Sequence, residues 1–244
     1  MTIATVTATR SGKAANQSRP SPALPSQAPR VLLTGFDPFG DKRNCPNPVN
    51  PSWLAVQALH GKRIGGHRVV AAQLPCVFDA SLTELRRLLR AHKPALVICV
   101  GQAGGRSAVS LERVAINVND ARIPDNAGAQ PVDTPVAENG PAAYFSTLPI
   151  KAMLMALQRL GVPAEVSQTA GTFVCNHVFY GLMHALATQR GLKRTRGGFM
   201  HVPFLPEQGS PALPLDVLVA ALRQAVATAM ATPHDVAVGA GAIS

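Results

Sequence analysis

Short apolar runs that stop at glycine or at a proline-rich loop alternate along this chain with stripes of helical period. That alternation limits the folds open to it. Val31-Leu32-Leu33-Thr34-Gly35 reads as a buried strand, Ser52 to Leu59 as a helix and Arg68 to Leu74 as a strand. Leu82, Leu85, Leu88 and Leu89 mark a helix, and Ala95 to Val100 a second buried strand ending at Gly101. Val109 to Val118 is strand-like, and Ile150, Met153, Leu154, Leu157 and Leu160 share one helical face closed by Gly161. A strand near Ala164 to Gln168, a helix from about Cys175 to Arg190, a strand near Gly198 to Val202 and a helix from about Leu215 to Met230 complete the order. Strands apolar along their whole length need cover on both faces. The predicted fold class is therefore α/β, with helices on either side of one sheet.

Residues 1–29, rich in Ser, Thr, Ala, Pro and Gln, read as a disordered leader, basic and acid-free like a transit peptide but without a secretory apolar segment. A single domain is expected over 30–236 and a frayed tail over 237–244. No run reaches the roughly 18 apolar residues that a membrane span needs. The net charge of +10, from 23 basic and 13 acidic residues, hints at nucleic acid. Four of those cations, Arg10, Lys13, Arg19 and Arg30, fall in the first thirty residues, and aromatics are only 5%, so no base-stacking platform is expected. Cys45, Cys76, Cys99 and Cys175 form no CxxC pair and no zinc spacing, which points to reduced thiols in a cytoplasm and to no metal.

Three strand ends carry candidate chemistry, since ligands of open α/β sheets gather at carboxyl ends of strands. In Gly35-Phe36-Asp37-Pro38-Phe39-Gly40, the two aromatics either line an apolar pocket or anchor a loop. Gly101-Gln102-Ala103-Gly104-Gly105-Arg106 is glycine-rich but has neither Walker nor dinucleotide spacing. Beyond it, Glu112 shares parity with Val114, Ile116 and Val118. It points to the apolar face if the strand extends that far, and to solvent if the strand begins at Arg113. In Thr169 to His177, Cys175 precedes Val178 and Phe179 by three and four residues, so it lies on the inward face of a helix's first turn. A helix N-terminus stabilises a thiolate, as a nucleophile needs; the alternative is a small buried cysteine. Cys45 is in a loop, Cys76 follows Pro75 and Cys99 is inside an apolar strand. Among seven histidines, His201, at an apolar strand end, is the best candidate base. Residue types alone reach a Glu112–Cys175–His201 site and name no substrate.

The stretches VLLTGFDPFG, NPSW, VGQAGGR, ERVAINVNDARIPDN, GPAAYFSTLP, SQTAGTFVCNHVFYGLMH and GFMHVPFLPEQ, spread over residues 31–208, resemble the pyroglutamyl-peptidase I (pyrrolidone carboxyl peptidase) family. The resemblance implies a single three-layer α/β/α domain around a twisted, mixed, mostly parallel sheet. It implies a homotetramer without metal or cofactor, and cysteine-dependent removal of N-terminal pyroglutamate from peptides. It places the family's catalytic residues at Glu112, Cys175 and His201. Its substrate-binding residues fall at Phe36, Phe39, Gln102, Arg122 and Phe173. Asp41 stands where the family usually has a second glycine, the loop from Lys42 to Val49 looks longer than usual, and the leader has no counterpart. Two other readings of the same architecture are a phosphorylase-like enzyme and a non-catalytic binder of pyroglutamyl peptides.

Overall fold

The computed structural model describes Met1, residues 29–40 and residues 49–241. Asp41, Cys45, almost all of the expected leader and almost all of the Lys42–Val49 loop lie outside these residues. The strands are β1 (Arg30–Phe36), β2 (Arg63–Ile64), β3 (His67–Leu74), β4 (Leu96–Gln102), β5 (Val109–Glu112), β6 (Val114–Ile116), β7 (Ala143–Phe145), β8 (Ala164–Ser167) and β9 (Arg196–Val202). The helices are α1 (Pro51–Gln57), α2 (Phe78–His92), α3 (Ile150–Arg159), α4 (Val174–Thr188) and α5 (Leu215–Ala231).

Seven strands form one sheet in the order β2-β3-β1-β4-β9-β5-β8. β1 runs parallel to β3 and β4, β4 to β9, and β5 to β8, whereas β5 is antiparallel to β9. The sheet is thus mixed and mostly parallel, as expected. Strand alternation splits the core into two layers. Val31, Leu33, Leu96, Ile98, Val100, Met200 and Val202 pack with α1, α3 and α5. Leu32, Phe36, Val97, Cys99 and Phe199 pack on the other face with α2 and α4. Burial on both faces is why these strands read as continuous apolar runs.

Helix starts are finished by side chains from elsewhere in the chain as well as by local caps. Asn50 Oδ1 accepts from Ser52 N at 3.1 Å at the start of α1. Asp125 Oδ2 accepts from Phe78 N at 3.0 Å at α2, and Asp235 accepts from Lys151 N and Ala152 N at 3.0 and 2.9 Å at α3. Each satisfies N–H groups that a helix leaves unpaired. The N-cap of α4, Phe173, provides no such side-chain bond.

One expected strand divides. The apolar stretch from Val109 to Val118 breaks at Arg113, whose N–H donates to Ser167 O at 3.0 Å. β5 stays in the main sheet, while β6 leaves it to pair with β7 in a separate ribbon. β2 and β7, too short to show a periodicity, are additional to the expected elements.

Candidate active site

Glu112 is fully buried on β5, for a different reason from its parity with Val114 and Ile116. Val109 and Leu111 enter the core layer of α1, α3 and α5. Alternation therefore turns Ser110 and Glu112 to the face covered by α4. Phe199 marks the same face on β9, so His201, two residues on, shares it. On this face His201 Nδ1 lies 2.7 Å from Glu112 Oε1. The carboxylate oxygen can only accept, so Nδ1 donates, which leaves Nε2 as the basic nitrogen of the neutral ring.

Cys175 occupies the first turn of α4, directly over the end of β4. Gly101 is the register partner of His201 across β4 and β9. A Cβ built on Gly101 would lie 2.7 Å from Cys175 Sγ, 2.9 Å from Phe199 Cζ and 3.1 Å from His201 Cδ2. Sulfur and imidazole thus meet around one bare stretch of backbone. Among the described cysteines Cys76 and Cys99 are buried, and only Cys175 is partly open to solvent. Burial, with Asp125 and Asp37 nearby, pushes the Cys76 thiol up to about 12, and burial pushes Cys99 to about 12. Burial also drives Cys175 well above its ordinary value; Cys76, Glu112 and Cys99 add to this and Arg106 opposes it. Burial thus works against the stabilisation that a helix start offers a thiolate.

The expected substrate-binding residues separate into three groups. Phe39, Arg122 and Phe173 come together around a cavity of about 260 Å³, with Asp120, Ile123 and Thr172 completing its lining. The ring centroids of Phe39 and Phe173 are 6.2 Å apart, and Phe78 meets Phe173 edge-on at 5.5 Å. Phe36 is not in that lining. It is 2% exposed, with its ring 6.3 Å from Phe199, so it belongs to the packed core. Gln102 ends β4, where its Oε1 accepts from Gln208 Nε2 at 3.2 Å. Phe36, Gln102 and His201 all sit toward the carboxyl ends of parallel strands. Glu112 also ends its strand, but β5 runs antiparallel to β9, so it approaches His201 from the opposite chain direction.

Several supporting residues were not singled out by the sequence. Asn176 Nδ2 donates to Ile116 O and Val118 O, both at 2.9 Å, and its Oδ1 accepts from Ile116 N at 3.0 Å. This pins the segment after β6 to the first turn of α4. His177 is buried with Nδ1 2.9 Å from Asn119 Oδ1. Arg106 reaches Glu112 itself. Its sequence signal was only its place at the end of the glycine cluster, six residues before Glu112.

A buried carboxylate on an imidazole, with a cysteine sulfur beside that ring at a helix start, makes up a cysteine-dependent hydrolase on an α/β scaffold. The family model described as pyroglutamyl peptidase matches residues 29–232. A pyrrolidone-carboxylate peptidase of Cupriavidus taiwanensis is 61% identical over 213 residues, covering 85% of this chain and 96% of the relative. One from Pectobacterium carotovorum is 55% identical over 218 residues, covering 87% and 98%. The crystal structure of pyroglutamyl peptidase I from Bacillus amyloliquefaciens superimposes with a TM-score of 0.82 at 48% identity, covering 87% of this chain and all of that one. The chain belongs to the pyroglutamyl peptidase family, and with it to the hydrolases.

Proposed function

We propose that this hydrolase cleaves the bond after an N-terminal pyroglutamyl residue of peptides through a thioester on Cys175, with His201 as base and Glu112 orienting it. The 2.7 Å contact between His201 Nδ1 and Glu112 Oε1, beside the Gly101 backbone that Cys175 Sγ also faces, carries the assignment. His201 Nε2 takes the thiol proton, and the sulfur attacks the carbonyl carbon that joins pyroglutamate to the next residue. Collapse of the tetrahedral intermediate releases the amine, which leaves with the proton from His201. Water, activated by the same imidazole, then hydrolyses the thioester. The first-turn N–H groups of α4, which its N-cap side chain leaves open, are suited to the oxyanion, with Arg122 and Gln102 nearby in the family pattern.

A pyroglutamyl end is an uncharged lactam, so its recognition needs an apolar slot with a few polar groups rather than a counter-ion for an amine. The Phe39–Phe173 pair over the 260 Å³ cavity has that character. Phe36 packs instead against Phe199, the strand neighbour of His201. The reading includes a homotetrameric assembly and a cytoplasmic location, where a free thiol stays reduced. Among the described residues no helix is long and apolar enough to cross a membrane. Neither metal nor cofactor enters the chemistry.

The test is release of a fluorophore from a pyroglutamyl amide in reductant. Wild-type protein is expected to turn it over, and both iodoacetamide and Cys175→Ala to stop it. Turnover that survives either treatment excludes Cys175 as nucleophile, and folded wild-type protein without turnover excludes the activity.

A further inference from the structure

We infer that Arg106 is a positioning residue for the reaction proposed above, one guanidinium joining the acid that orients His201 to the loop that leads into Cys175. Arg106 Nη1 donates to Glu112 Oε1 at 2.7 Å, the same oxygen that receives His201 Nδ1. Its other terminal nitrogen, Nη2, donates to Thr169 O at 3.0 Å. Thr169 shapes the turn before α4: its carbonyl also accepts from Ser167 Oγ at 3.0 Å, and its hydroxyl oxygen accepts from Gly171 N at 3.0 Å. Thr172 and Phe173 of the cavity, then Cys175, follow within six residues of it.

Charge and geometry both call for this residue. Glu112 is fully buried, and Oε2 has no hydrogen-bond partner among the described residues. A buried carboxylate whose sole partner is a neutral ring is strongly disfavoured. Arg106, whose side chain is 26% exposed, brings a permanent cation to Oε1 of that carboxylate while keeping one edge in water. A planar fork can serve two acceptors at fixed angles, which a lysine ammonium on a flexible stem cannot do equally well. The glycine cluster makes the return possible: Gly105 sits at φ +87°, and Arg106 N donates to Ala103 O at 3.4 Å, closing the turn after β4. The same cation opposes the cost of placing negative charge on the Cys175 sulfur.

Full-length Arg106→Met and Arg106→Lys proteins, compared with wild type on the pyroglutamyl amide, test the inference. For Arg106→Met, kcat is expected to fall at least about tenfold with KM changed less. The acidic limb of kcat/KM should move to higher pH, because the thiolate loses a nearby cation. Arg106→Lys should restore the limb but leave kcat below wild type, since one ammonium cannot hold both Glu112 and Thr169. The pH dependence of Cys175 alkylation should follow the same order. That measurement needs no turnover, so it decides on Arg106 even if the proposed activity fails. A lower melting temperature with kcat, pH limb and alkylation profile unchanged would reduce Arg106 to a structural tie and overturn the inference. If Arg106→Met does not fold, wild-type kcat and pH profile in Arg106→Lys overturn it equally.

Discussion

Gly101 and His201 face each other across parallel strands β4 and β9, and the hydrogen that stands for a side chain on Gly101 is what leaves room for both the Cys175 sulfur and the His201 ring. A methyl group there would meet Sγ at 2.7 Å and the imidazole edge at 3.1 Å, closer than ordinary carbon contacts. Gly101→Ala should therefore displace the reacting groups while leaving the sheet in register. A misplacement of about 1 Å can cost about 10²-fold in rate. The expected result is a loss of that order in kcat/KM with an unchanged far-ultraviolet circular dichroism spectrum.

Glu112→Gln keeps the shape of the side chain but removes the charge shared by His201 and Arg106. The amide can present its NH₂ to Nδ1 and favour the wrong tautomer. Turnover should fall by about 10²-fold or more, while Cys175 remains open to alkylation. An unchanged kcat would remove Glu112 from the reaction.

Because burial raises the Cys175 thiol, its reactivity at neutral pH has to be borrowed from His201. In His201→Ala, alkylation of Cys175 by iodoacetamide should be slow at pH 7 and rise only above the usual thiol range. Wild type should react faster at pH 7. Equal rates at pH 7 would show that the base is not coupled to the sulfur.

His177 sets an acid limit on stability. Burial lowers its pKa from 6.5 to about 4, against the opposing pull of Asp79 and the Phe78 backbone; Arg86 adds to the lowering. The unfolded chain therefore takes up a proton near pH 6.5 that the folded protein refuses until about pH 4. The stability held by the neutral ring is present above pH 6.5 and is lost as the pH falls toward 4. The loss is about 3 kcal/mol in all. His177→Phe should flatten this decline while losing about 1–2 kcal/mol at pH 7, because Asn119 Oδ1 loses its partner. Denaturant midpoints for both proteins at pH 7 and pH 5 check the sign and the size.

How much of this protein is legible in its sequence follows from the range over which each signal acts. Val178, Phe179 and Leu182 made the stripe that puts Cys175 on the inner face of a helix start, and the helix begins at Val174. The apolar run around Phe199 placed His201 at a buried strand end. Both are local patterns of period 3.6 or 2, which the chain carries whatever it packs against. Glu112 was found by a parity that the break at Arg113 made irrelevant. Its burial comes from strand pairing, with β5 antiparallel to β9 and parallel to β8. Phe36 and Phe39 are equivalent in one short motif, yet one is buried in the core and the other lines the cavity.

The sequence by itself determined the α/β alternation, the helix start that carries the thiol and the apolar strand that carries the imidazole. Tertiary structure alone decided that Arg106 spans to Glu112 and Thr169, that Gly101 leaves the gap filled by Cys175, and which face of the sheet holds all of them. Periodicity along a chain states which side of an element is apolar. It does not state which strands pair or in which direction, and it is pairing between segments up to a hundred residues apart, such as Leu96–Gln102 with Arg196–Val202, that brings the reacting groups together.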